Sequence, residues 1–143
     1  MNACCDVTAR TARESAAASE PYNAVASLLG RYYEALFHGD VEALYRVFHP
    51  GATYATASGG ELVQLDLASY LERVATRESP ACRGDAYSFE LESIEFAGPT
   101  TALARMRSSL LGKRFVDFLA LLAVGDEWRI AAKVFHYDPD PAS

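Results

Sequence analysis

The spacing of apolar residues changes partway along the chain. In the first part they recur every three or four positions. Val25, Leu28, Leu29, Tyr32, Leu36 and Phe37 form one stripe, which predicts a helix from about Pro21 to Phe37, closed by His38-Gly39. Asp40 then caps a short helix, Val41 to Phe48, that His49-Pro50-Gly51 stops. Leu67, Tyr70, Leu71, Val74 and Ala75 place a third helix over Leu67 to Glu78, with Asp66 as its cap. Between these two helices, Ala52 to Ala57 and Glu61 to Gln64 read as short strands around a Ser58-Gly59-Gly60 turn. Ala81 to Ala86 reads as a loop.

From Tyr87 onward the period is two. Tyr87, Phe89 and Leu91 share a face, and the parity then changes at Ser93, which suggests a bulge or strong bend before Phe96. Thr100 to Leu111 sets Ala102, Ala104 and Met106 against Leu103, Arg105 and Arg107 on the other face. The last hairpin, Phe115 to Tyr137, turns at Gly125-Asp126. That turn puts Phe115 opposite His136, Asp117 opposite Val134, Leu119 opposite Ala132, Leu121 opposite Ile130 and Ala123 opposite Trp128. These ten residues share one face. Asp117 and His136 are its polar members, diagonal neighbours within reach of each other. The opposite face carries Val116, Phe118, Ala120, Leu122, Ala131 and Phe135, so something must cover it. A second copy of the chain is the simplest cover, with Arg129 and Lys133 at the margin of a homodimer formed through the outer sheet face. Helices first and strands afterwards make the chain α+β, with helices on one face of an antiparallel sheet.

Composition narrows the function classes. The chain has 143 residues, 22% of them charged, with a formal net charge of −6. That length suits one domain, here 21–138 after a disordered leader over 1–20 and before a tail over 139–143. An acidic balance argues against nucleic acid and against anionic membrane surfaces. The chain holds no apolar run of ~18 residues that would span a bilayer and no secretory signal at Met1 to Pro21, so a cytoplasmic location is expected. Cys4 and Cys5 are adjacent and Cys82 lies in a loop, so free thiols are expected. Cysteine and histidine spacing suggests no metal, and no cofactor is expected.

Three segments carry a resemblance: YYEALFHGDVEALYRVFHP, SLLGKRFVDFLALLAV and EWRIAAKVFHY. Together, over roughly Tyr22 to Tyr137, the chain resembles the nuclear transport factor 2-like superfamily, and within it the bacterial lumazine-binding subgroup. The resemblance implies a cone-shaped, strongly curved antiparallel sheet wrapped around three N-terminal helices, a pocket at the open end and a homodimer. Its relatives include isomerases, dehydratases, polyketide cyclases, epoxide hydrolases and non-catalytic binders, so it fixes fold more than chemistry.

Asp117 and His136 are the expected catalytic pair. A carboxylate is costly to bury on an apolar face unless paired, and it would orient and charge an imidazole for proton transfer. A purely structural pair at the mouth of the sheet remains the alternative. Tyr32, Tyr33, Tyr54 and Tyr70 come from elements that line the pocket in the family's fold, and they are expected, with His49 and Trp128, as ligand-binding residues. Each tyrosine is equally readable as a core aromatic with a satisfied hydroxyl. Arg73 and Arg77, one turn apart, read as a solvated face, although an arginine at a pocket mouth would bind a carboxylate ligand. The expected function is cofactor-independent acid–base chemistry on a small organic or polyketide-like molecule. The alternative is non-catalytic binding of a heterocyclic metabolite.

Overall fold

A computed structural model describes the backbone of residues 3–141 and the side chains of residues 20–141. The expected leader and the thiols of Cys4 and Cys5 fall almost wholly outside the described side chains. Helix α1 spans Ala3–His38 and passes through Pro21, where the apolar pattern alone places its start. Helix α2 spans Val41–Val47, and Asp40 caps it by accepting from the Ala43 amide at 3.1 Å. Strand β1 (Phe48–Thr56) and strand β2 (Val63–Asp66) follow. Helix α3 spans Leu67–Thr76, and its cap Asp66 accepts from the Ser69 amide at 2.8 Å. A short helix α4, Pro80–Arg83, occupies the expected loop, with Ser79 as its cap. Strands β3 (Phe89–Phe96), β4 (Thr101–Leu110), β5 (Lys113–Val124) and β6 (Glu127–Pro139) complete the chain.

The six strands form one sheet in the order β2-β1-β6-β5-β4-β3. The sheet is mixed, not wholly antiparallel, because β1 lies parallel to β6. Such a pairing joins strands far apart in sequence, and short-range turn signals do not report it. Val25, Leu28, Leu29, Tyr32 and Leu36 of α1 pack against the inner face of the sheet, where Ala102, Ala104, Met106, Leu119, Leu121 and Ile130 are buried. The parity change expected near Ser93 is present: the β3–β4 register shifts between Leu91 and Ser93, leaving Glu92 as the bulged residue.

A second bulge decides the site. The β5–β6 hairpin starts in the expected register, with Val124 opposite Glu127, Ala123 opposite Trp128 and Leu121 opposite Ile130. Ala120 then pairs with Ala132, and Ala131 is the extra residue. A slip of one residue moves every later side chain to the other face. Lys133, Phe135 and Tyr137 therefore turn inward, and Val134 and His136 turn outward. Lys133 is buried, not at an outer margin, and His136 is exposed. Asp117 sits opposite Phe135, so the acid and the imidazole occupy opposite faces of the sheet.

This register is testable by thiol labelling. With Cys4, Cys5 and Cys82 replaced by Ser, Val134→Cys and His136→Cys should react at the rate of an exposed thiol. Phe135→Cys should react roughly tenfold or more slowly, since a buried thiol is reached through local opening. The reverse order would restore the unbulged hairpin.

Candidate functional site

The inward face of the slipped hairpin ends in a cavity. Its volume is about 150 Å³, and it lies between α3, the β1–β2 pair, the first half of β5 and the second half of β6. Tyr54, Tyr70, Phe115, Phe135 and Tyr137 give it an aromatic wall. Asp117 and Lys133 supply charge to its lining, and both are almost wholly buried. An apolar void near this size accommodates a benzene ring.

The two charges form a loose pair. Lys133 Nζ lies 3.9 Å from Asp117 Oδ2. The ammonium is also surrounded by rings: it sits 5.4 Å from the ring centres of Tyr32, Tyr54 and Tyr70, and 4.9 Å from that of Phe135. Ring faces carry negative charge density, so they replace part of the hydration that the ammonium loses. Asp117 is less well served. Its Oδ1, the Tyr32 hydroxyl and the Tyr70 hydroxyl are buried without a hydrogen-bond partner of good geometry among the described residues.

Burial pushes the Asp117 carboxyl above its ordinary range, and Lys133 and the nearby Tyr32 hydroxyl oppose that shift without cancelling it. At 3.9 Å without a hydrogen bond, the Coulombic gain falls short of the desolvation cost. Burial also works against the Lys133 ammonium, but the Tyr70 oxygen, the Asp117 carboxylate and the Tyr54 oxygen outweigh it and raise its pKa. Lys133 therefore stays protonated at neutral pH, while Asp117 takes up a proton more readily than an exposed carboxyl. Burial holds the Tyr32 phenol well above its usual value and raises that of Tyr54, so both remain proton donors.

The other expected residues divide by their place in the fold. Tyr54 and Tyr70 line the cavity, with their rings stacked at 4.6 Å. Tyr32 stands behind Asp117, buried in the core. Tyr33 lies one helical step round α1 and points elsewhere. Its hydroxyl accepts from the Ser88 amide at 3.2 Å, and its ring stacks on Phe89. Trp128 faces inward at the far end of the hairpin, edge-on to Phe96. His49 belongs to β1, which starts at Phe48. Since Phe48 is buried, His49 points outward, and its Nδ1 accepts from the Gly51 amide at 3.0 Å. His136 joins the outer surface, 2.9 Å from Ser58 Oγ through Nδ1 and 3.1 Å from Asp138 through Nε2. It pins the β1–β2 turn to β6 and has no contact with Asp117.

Sequence reasoning missed Lys133 and Lys113 as cavity residues, and it ranked a solvated face for Arg73 and Arg77 above the pocket-mouth role. Arg73, Arg77 and Lys113 line the same cavity. Tyr70 and Arg73 share a face of α3 at i and i+3, and Arg77 follows as its extended C-cap residue, so the end of one helix brings all three together, and that spacing was the available signal. Leu111 lines the cavity too, in the β4–β5 turn, with φ at 56°. A left-handed leucine costs about 1–2 kcal/mol. Its amide is held by Asp85 Oδ2 at 2.8 Å, and Asp85 is in turn 3.3 Å from Arg83 Nε. Among the described residues no group of three or more His, Cys, Asp or Glu is placed to hold a metal, and no helix is long and apolar enough to cross a membrane.

Residues 20–136 match a protein family described as "Putative lumazine-binding". Among solved structures, the chain is similar to an NTF2-like protein of unknown function from Silicibacter pomeroyi DSS-3. The two are 26% identical, with 85% of this chain and 98% of that one covered and a TM-score of 0.72. It is also similar to NTF2-like proteins of unknown function from Shewanella baltica OS155 (23% identity, 84% and 95% covered, TM-score 0.74) and Methylobacillus flagellatus KT (24%, 83% and 93%, TM-score 0.71). The last two likenesses speak to fold alone. No curated protein matches the chain.

The raised Asp117 pKa predicts a pH dependence. Between its ordinary range and its raised native value, the folded state binds more protons than the unfolded state, so this group's contribution to stability falls as pH rises through that window. Denaturant titrations of the wild type and Asp117→Asn should show the difference moving in the wild type's favour as pH drops from neutral into the acid range. A pH-independent difference would mean that Asp117 ionises as an exposed carboxyl does.

Proposed function

The chain belongs to the lumazine-binding family, and from that premise we propose that it is a small-molecule pocket protein performing cofactor-independent acid–base chemistry of the isomerase, dehydratase or cyclase type. The observation that carries this reading is the buried, unpartnered Oδ1 of Asp117 beside a protonated Lys133 in an aromatic cavity. Buried polar atoms in folded proteins are nearly always paired, so an orphan on a cavity wall marks a place for a ligand atom.

The chemistry follows from the charges. Asp117, made more basic by burial, takes a proton from a carbon next to a substrate carbonyl. The electron pair of that C–H bond moves into the carbonyl, and negative charge develops on its oxygen. The Lys133 ammonium and the Tyr70 hydroxyl are donors fixed in a poorly hydrated site, where they stabilise that charge most strongly. Asp117 then returns the proton to another atom of the same molecule, which completes an isomerisation, or to a departing hydroxyl, which completes a dehydration. His136 has no part in this scheme, because it lies on the other face.

One observation favours non-catalytic binding of a heterocyclic metabolite instead: an ammonium 3.9 Å from the carboxylate weakens it as a base. Native mass spectrometry of the purified protein would identify a retained molecule. On the enzymatic reading, that molecule is converted on incubation, and Asp117→Asn slows conversion by about 10²–10⁴-fold, the usual contribution of a general base. A molecule returned unchanged by the wild-type protein would establish the binding reading.

The outer face of the sheet supports a homodimer. Leu103, Phe118, Leu122 and Val134 are exposed there on three neighbouring strands. Phe118→Glu should convert a dimer to a monomer in sedimentation equilibrium without changing the circular dichroism spectrum. A monomeric wild type would refute the dimer.

A further inference from the structure

We propose that the ligand of this cavity is a small aromatic or heterocyclic carboxylate, with its carboxylate held at the mouth by Arg73 and Arg77 and its ring turned inward toward Asp117. The proposal rests on the cavity being a ligand site, as argued above, and it adds the charge and orientation of the ligand.

Four observations point the same way. First, the lining is cationic in an acidic protein. Arg73, Arg77, Lys113 and Lys133 face one carboxylate, Asp117, while the whole chain carries −6. Second, the two arginines are unpaired. Arg83, Arg105, Arg107 and Arg129 each sit within 3.4 Å of a carboxylate oxygen, whereas among the described residues Arg73 and Arg77 have no such partner. Arg73 lies in the last turn of α3 and Arg77 is its extended C-cap residue, so both guanidinium groups reach the cavity from one end of that helix, and each planar fork suits a carboxylate. Third, the cavity is polarised. At the inner end the Asp117 carboxylate offsets the Lys133 ammonium, whereas the arginines at the outer end have no paired carboxylate among the described residues, so an acid group is best placed at the outer end. Fourth, the volume is about 150 Å³, which holds one ring and excludes a larger planar system from the enclosed part.

The test is a set of matched pairs on the full chain: benzoate against benzamide, salicylate against salicylamide and nicotinate against nicotinamide, titrated by calorimetry. At least one acid should bind about tenfold or more tightly than its amide, the equivalent of a charge-assisted hydrogen bond. That preference should vanish in the Arg73→Gln, Arg77→Gln double variant, with affinity for the amides retained. It should persist in Asp117→Asn, so loss of the acid–base reading would leave this proposal standing. Amides that bind as well as their acids would overturn the anion proposal while preserving the pocket. Failure of all six probes to bind would overturn it together with the ligand site. A preference that survives the double arginine variant would overturn the assignment of these two residues.

Discussion

One extra residue in the last strand determines what the interior of this protein contains. Without the bulge at Ala131, β6 would present Ala132, Val134 and His136 to the helices, and Lys133 would face outward. With it, a lysine enters the core and must be accommodated. Three tyrosine rings, one phenylalanine ring and one aspartate surround it. These groups come from α1, β1, α3, β5 and β6, so the demands of a single buried ammonium are met from five elements. The cavity is the space left where that arrangement ends.

The bulge also explains which parts of the site could be read in the sequence and which could not. In β3 the parity change was visible, because Glu90, Glu92 and Glu95 alternate with Leu91, Ile94 and Phe96, and a slip misplaces a charge. In β6 the slip falls on Ala131-Ala132. Alanine suits either face of a sheet, so the alternation on both sides looks continuous while its phase has changed. Asp117 was correctly placed because β5 has no such slip, and His136 was misplaced because it lies beyond one. The helices and their caps were legible from Asp40 and Asp66, whose side chains accept from local amides. The parallel β1–β6 contact was not, since it depends on how the whole sheet closes.

Arg73 and Arg77 illustrate a different limit. A helix residue beside the apolar stripe is solvated if nothing lies over it and part of a wall if a strand does. The stripe of α3 gives the direction of Tyr70 but not what stands opposite. Here the opposing elements are the start of β5 and the end of β6, brought close by the β4–β5 turn and its strained Leu111. Asp85 and Arg83 secure that turn from the short helix α4, so a segment that reads as plain loop helps to shape the mouth.

Buried ion pairs seldom justify themselves by stability, since removing two charges from water costs about as much as their attraction returns. The pair here is weaker than most, at 3.9 Å, and among the described residues it leaves one carboxylate oxygen and two phenols without a hydrogen-bond partner of good geometry. A hydrophobic substitute for the pair would fill the space with less strain. The arrangement is economical when something else completes it. A bound polar molecule would satisfy Asp117 Oδ1 and Tyr70 at once, and an anionic one would also lower the repulsion among four cationic side chains around the same void. Held at the mouth, its negative charge would offset the cationic field of the arginines that favours the ionised Asp117, and so would raise the carboxyl's basicity. Ligand charge and proton transfer are thus linked through the same two buried groups that the bulge brings together.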